Sequence, residues 1–135
     1  MGELPESLQL EIVSPDRLLY SGDVQEVTIP GMEGYLGILP GHAPLLSELR
    51  TGIISYSHSQ GEAQLFCLSG FAEVLPERVI VLAEQVEFPE EIDDSRARAD
   101  KEKAEEILKS RDPEADYEHA LTLLEQASIR LQLVE

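Results

Sequence analysis

The sequence predicts an α+β chain: an antiparallel β-sandwich or barrel over residues 1–88, then an antiparallel two-helix hairpin over residues 89–135. Three observations predict it. Short apolar runs with a period of two recur as far as Glu87, at the spacing of about 8–12 residues that marks sandwiches and barrels. The breaks between them are too short to hold crossover helices, so a parallel sheet is not expected. At Phe88 and Pro89 the pattern changes to a charged, Ala- and Leu-rich stretch with helical period.

The elements follow in order. In "LQLEIV", Leu8, Leu10 and Ile12 share one face, with Gln9 and Glu11 on the other. The runs "RLLY", "VQEVTI", "YLGIL", "GIISYSHS", "AQLFCL", "GFAEVL" and "RVIVLAE" read as further strands. "SPD", "SGD", "PGMEG", "LPGHAP", "SQGE" and "PE" read as the turns between them. Asp93 or Asp94 is fit to cap a first helix whose apolar stripe is Ala97, Ala104, Ile107 and Leu108. In "RDPEADYEHA", Asp112 reads as the next N-cap and Pro113 as the first residue of the second helix. Tyr117, Ala120, Leu121, Leu124, Ala127 and Leu131 form that helix's apolar stripe. Two helices cover each other on one side only, so the hairpin is expected to dock on the sandwich, dock on a partner, or alternate between the two.

Composition removes several classes of function. A net charge of −17 is wrong for tracking nucleic-acid phosphates or for adhering to anionic lipid. The one cysteine, Cys67, lies in the apolar run "AQLFCLSG" and reads as a buried thiol. No Cys/His spacing fits zinc. No apolar stretch approaches the roughly 20 residues that span a bilayer, and "MGELPESLQ" lacks the pattern of a secretory leader. The expectation is a soluble cytoplasmic chain whose membrane association comes only through a partner.

No catalytic constellation is visible. His42, His58 and His119 fall in different elements, and no phosphate-cradling glycine loop leads into a helix. "GMEGYLG" sits between strands and reads as a turn that needs positive φ at one or more glycines. "LGILPGHAPLL" is stiffened by Gly37, Pro40, Gly41 and Pro44. It is either a rigid docking surface or a turn in which His42 caps a backbone group.

"EGYLGILPGHAPLLSEL", then "LSGFAEVLPERVIVLAE", "EIDDSRARADKEKAEE" and "ADYEHALTLLEQASIRLQ", resemble the epsilon subunit of bacterial F-type ATP synthases. The resemblance spans nearly the whole chain in order. It implies a β-sandwich of about ten strands and a helical hairpin. It also implies a non-catalytic role in the rotating central stalk, between the gamma subunit and the membrane ring of c subunits, on the cytoplasmic face of the inner membrane. There the subunit helps couple proton flow to ATP synthesis. The hairpin either folds down or extends along gamma toward the alpha and beta subunits and inhibits ATP hydrolysis.

By position, the resemblance implies that Glu33, Gly34 and Tyr35 face the c ring, and that His42, Ala43, Pro44 and Leu45 pack on gamma. No cofactor is required. In some members the folded-down hairpin binds ATP through "I-D-x-x-R-A", an upstream acid and two later arginines. Here these are Ile92, Asp93, Arg96 and Ala97, with Glu87 upstream and Arg130 later, while Gln126 occupies the other arginine position. Losing one charge-assisted hydrogen bond costs roughly 1.5–3 kcal/mol, so MgATP binding is expected to be weak or absent. In the alternative to a phosphate contact, Arg96 pairs with Asp93 at i, i+3. The second helix is acidic (Glu114, Asp116, Glu118, Glu125 and Glu135 against Arg130), so inhibition is expected to be modest. Arg96, Arg98, Lys101, Lys103 or Lys109 of the first helix would carry it.

Overall fold

The computed structural model describes residues 4–135; residues 1–3, which open the stretch read as lacking a leader, lie outside them. The chain forms two compact units, the first ending at Glu87 and the second running from Phe88 to Glu135. The first is all β. Its strands are β1 (Leu8–Val13), β2 (Leu18–Val24), β3 (Glu26–Gly31), β4 (Gly34–Ile38), β5 (Leu45–Leu49), β6 (Gly52–His58), β7 (Gly61–Leu75) and β8 (Arg78–Glu87). They hydrogen-bond in the order β2-β1-β8-β7-β5-β3-β4, with β6 paired to β3 and β7. Leu8, Leu10, Ile12, Ile29, Ile54 and Phe66 are among the fully buried side chains of its core.

Eight strands are described, against the ten that the family resemblance implies. "AQLFCL" and "GFAEVL" are one strand, β7, which changes neighbours partway along. Up to Cys67 it pairs with β6, and from Gly70 it pairs with β5, while β8 runs beside it from Phe66 to Leu75. The change of partner is made at Ser69, whose φ is 40°, and Gly70, whose φ is 149°. A Cβ on Gly70 would collide with the Leu82 carbonyl oxygen and stand 2.7 Å from Ala83 Cα, so the two strands close only over a glycine. β5 was not among the expected strands; it begins at Leu45 and Leu46, the last two residues of "LGILPGHAPLL".

Two further expectations are corrected. "SGD" is not a turn: Ser21, Gly22 and Asp23 stay extended inside β2 because they pair with Glu11, Leu10 and Gln9. β1 and β8 pair in parallel, Gln9 with Arg78 through Val13 with Leu82. No crossover helix is needed, because these are the first and last strands and the rest of the unit connects them. An Arg78–Glu11 ion pair at 2.8 Å sits across that seam.

In the second unit, a single 3-10 turn (Pro89–Glu91) leads into α1 (Asp94–Lys109), and α2 runs from Tyr117 to Val134. The Glu91 carboxylate accepts a hydrogen bond from Phe88 N–H at 2.9 Å. The two helices pack on each other. Ala97 and Ala104 on α1 are buried, as are Ala120, Ala127 and Leu131 on α2. Leu121 belongs to the expected stripe but is exposed. α2 also starts later than expected. Asp112 Oδ1 accepts from Glu114 N–H at 2.9 Å, which closes a local turn, and Asp116 is the cap that accepts from His119 N–H at 2.9 Å. The Tyr117 hydroxyl donates to the carbonyls of Ser110 and Asp112 and pins the connection.

Candidate functional site: two faces of the β unit and the start of the hairpin

The β3–β4 turn is Gly31 to Gly34, with Glu33 exposed at its tip. Gly34 has φ 137°, a conformation L side chains rarely adopt, so one glycine of "GMEGYLG" does supply positive φ. Glu33, Gly34 and Tyr35 line one groove together with Met32, Leu45 and Leu46. The fold therefore brings the residues expected at the c ring and Leu45, expected at gamma, to a single rim. His42, Ala43 and Pro44 do not line that groove. His42 is half-buried with Nδ1 2.7 Å from Ala43 O, so the ring does engage a backbone group. Ala43 and Pro44 stand exposed beside it.

A second surface was not anticipated from the sequence. Cross-strand pairing sets Leu18, Val13, Leu82, Phe71 and Glu48 in one row across β2, β1, β8, β7 and β5. Leu18, Leu82 and Phe71 are each more than half exposed. Phe71 and Leu82 belong to a groove of about 540 Å3 rimmed by Glu48 and Glu84, with the Ser69 hydroxyl donating to Glu84 at 2.9 Å. An apolar row on the outward face of a strongly acidic chain is the pattern of a contact surface. The signal was present but unread. In "GFAEVL" and "RVIVLAE" the inward residues are Ala72, Val74, Val79, Val81 and Ala83. Phe71 and Leu82 are apolar in the opposite phase, where alternation calls for polar side chains.

Asp93 caps α1, its Oδ1 accepting from the backbone N–H of Arg96 at 3.1 Å. The expected side-chain pair between Asp93 and Arg96 does not form among the described residues; the charge pair there is Arg98 with Asp94 at 3.4 Å. The Asp93 carboxylate is occupied by capping, and the Arg96 side chain is exposed. Ile92 is half-buried, with its N–H donating to Pro89 O at 3.2 Å. Ala97 is buried. Arg130 and Gln126 are half-buried on α2. Glu87 ends the first unit, on β8, and accepts from Gln85 Nε2 at 2.6 Å. Burial pushes the Cys67 thiol up to about 12, which fits an inert core group.

Comparison with known proteins decides the family. The family described as ATP synthase, Delta/Epsilon chain, beta-sandwich domain matches residues 7–89, and its long alpha-helix domain matches residues 90–135. The chain belongs to the ATP synthase delta/epsilon family. The family's chain is a non-catalytic subunit, in agreement with the sequence reading. An ATP synthase epsilon chain of Koribacter versatilis is 49% identical over 112 residues, covering 82% of this chain and 78% of the relative. One from Syntrophobacter fumaroxidans is 38% identical over 132 residues, covering 98% of each. Among solved structures, a chain of the Euglena gracilis mitochondrial ATP synthase aligns with a TM-score of 0.74 at 25% identity, over 98% of this chain and 80% of that one. Among the described residues no helix is long and apolar enough to cross a membrane.

Proposed function

We infer that this delta/epsilon family chain works as an epsilon-type rotor subunit of an F-type ATP synthase. In this reading it sits in the central stalk on the cytoplasmic face of the inner membrane and helps couple proton flow to ATP synthesis. The observation that carries the reading furthest is the apolar row in which exposed Leu18, Leu82 and Phe71 flank half-buried Val13. It supports docking of an apolar face of the gamma subunit, whose contact extends to the His42–Leu45 stretch. The Glu48 and Glu84 carboxylates at the groove's rim favour a basic side chain on that partner. The β3–β4 tip with Glu33 then meets the c ring.

In the same reading, residues 1–88 anchor the subunit, and residues 89–135 regulate it by folding down or extending toward the alpha and beta subunits. A second reading, that the folded-down hairpin senses MgATP, is favoured by one observation. Asp93 serves as a cap and leaves the Arg96 guanidinium outward. Glu87, Ile92, Asp93, Ala97 and Arg130 would complete such a site, with Gln126 as its weak point. The test of the subunit reading is co-purification. An affinity-tagged full chain expressed with its own synthase should bring down gamma and the c ring. Elution alone, while the other subunits assemble, would refute it.

A further inference from the structure

The β3–β4 turn is the part of the molecule whose support matters most if it meets another protein. β4 is the terminal strand of the order and, among the described residues, pairs with β3 alone. Two backbone ties hold the base of the turn to β5 and its approach: Met32 N–H donates to Glu48 O at 3.1 Å, and Arg50 N–H donates to Pro30 O at 2.9 Å. Neither involves β4.

The tie that does is a side chain. Tyr35 is 57% exposed, yet its hydroxyl accepts a hydrogen bond from Ile53 N–H of β6 at 3.0 Å. β3 pairs with β6 only as far as Thr28 with Ser55, and by Gly31 it has turned to Leu49 of β5. Ile53 lies two residues past the last β3–β6 pair, where the ladder no longer provides an acceptor from β3. The phenol reaches across β3 and fills that role. The slot it uses is open because residue 52 is glycine. A Cβ there would stand 2.8 Å from the Tyr35 hydroxyl and 2.7 Å from Pro30 Cβ.

Resting on the reading that this tip meets the c ring, we propose that Tyr35 is a positioning residue. Its hydroxyl is a strut from the edge strand to β6 that holds Glu33 at a fixed height, so that load on the tip passes into the sheet instead of bending the turn. The hydroxyl oxygen accepts from Ile53 N–H and keeps its own proton to donate. Glu33 remains the polar group at the tip.

The test uses Tyr35→Phe, which removes the hydroxyl and keeps the ring, and Gly52→Ala, which closes the slot. Amide hydrogen exchange is measured on the full chain. The ratio of ATP-driven proton pumping to ATP hydrolysis is measured in membrane vesicles carrying the assembled synthase. For both variants we expect Ile53 to exchange about tenfold faster, as befits the loss of one hydrogen bond. Amides of β1 and β8 should be unchanged. The pumping ratio should fall while incorporation and hydrolysis are kept. Unchanged exchange at Ile53 overturns the strut. Faster exchange with an unchanged pumping ratio also overturns it, leaving Tyr35 a merely structural role. If the wild-type chain does not enter the synthase, the subunit reading fails and the strut with it, and that outcome is distinct because it precedes any substitution.

Discussion

The apolar row makes a quantitative demand on Phe71. A phenylalanine side chain presents about 200 Å2, and 53% of Phe71 is exposed. Covering that remainder removes about 100 Å2 from water, worth about 2.5 kcal/mol at about 25 cal/mol per Å2. Phe71→Ser should therefore weaken binding to the purified gamma subunit by a factor of roughly ten to a hundred. The fold should tolerate the change, because the outward face of β7 carries no core side chain at this position. Leu82 is 56% exposed and is the cross-strand partner of Phe71, so Leu82→Ser should act in the same direction. The double variant should lose less than the sum, since the two side chains share one patch. Isothermal titration of gamma against each variant measures this, with the far-ultraviolet spectrum as the control for folding. An affinity within about threefold of wild type, with the spectrum intact, would refute the assignment of this face.

Other consequences are open to direct measurement. Gly70→Ala forces a side chain onto the Leu82 carbonyl at a φ of 149° and should cost about 3 kcal/mol or more in urea unfolding, whereas a loss under about 1 kcal/mol would contradict the corner described for β7. The Cys67 thiol, raised from 9.0 to about 12 by burial, should resist thiol reagents at pH 8. Its sign is that of a group kept protonated by folding: stability is full below pH 9 and falls by about 1.4 kcal/mol per pH unit between 9 and 12. Tyr56, raised by burial and then by Tyr20, titrates in the same window, so the comparison is wild type against Cys67→Ala, and an identical alkaline slope in both would contradict the assignment. Titration with MgATP should show weak or no binding, and micromolar binding that Arg96→Ala leaves unchanged would remove Arg96 from the site. Deleting residues 90–135 should raise ATP hydrolysis by the complex only modestly, and a large activation would show that the acidic α2 does not limit inhibition.

The β unit and the hairpin were legible because each imposes its period on the chain. Leu8, Leu10 and Ile12 alternate on one face of β1, and Ala97 with Ala104, like Ala120 with Ala127, recur at seven residues. What was misread depended on pairing that no local pattern encodes. "SGD" has turn chemistry, yet antiparallel partners on β1 keep it extended. β7 was read as two runs, "AQLFCL" and "GFAEVL", but between them, at Ser69 and Gly70, the strand changes partner without ending. In "RDPEAD" Asp112 was read as the cap of the second helix, but Asp116, four residues on, is the one that starts α2. For the candidate sites, Glu33, His42 and Asp93 were assigned to the c ring, gamma and ATP only through the family resemblance. The sequence did not indicate that Leu18, Val13, Leu82 and Phe71 stand in one row, since that needs the registers of four strands at once. Nor did it show Tyr35 reaching Ile53 across a neighbouring strand.

The central claim is that this chain couples rotation to proton movement without chemistry of its own. Membrane vesicles whose synthase has been stripped of its own delta/epsilon-type subunit provide the direct test, with ATP-driven acidification read alongside phosphate release. Adding back the full chain should restore acidification per ATP hydrolysed, while the chain alone releases no phosphate. Hydrolysis by the isolated chain, or stripped vesicles whose pumping ratio is the same with and without it, would contradict the account.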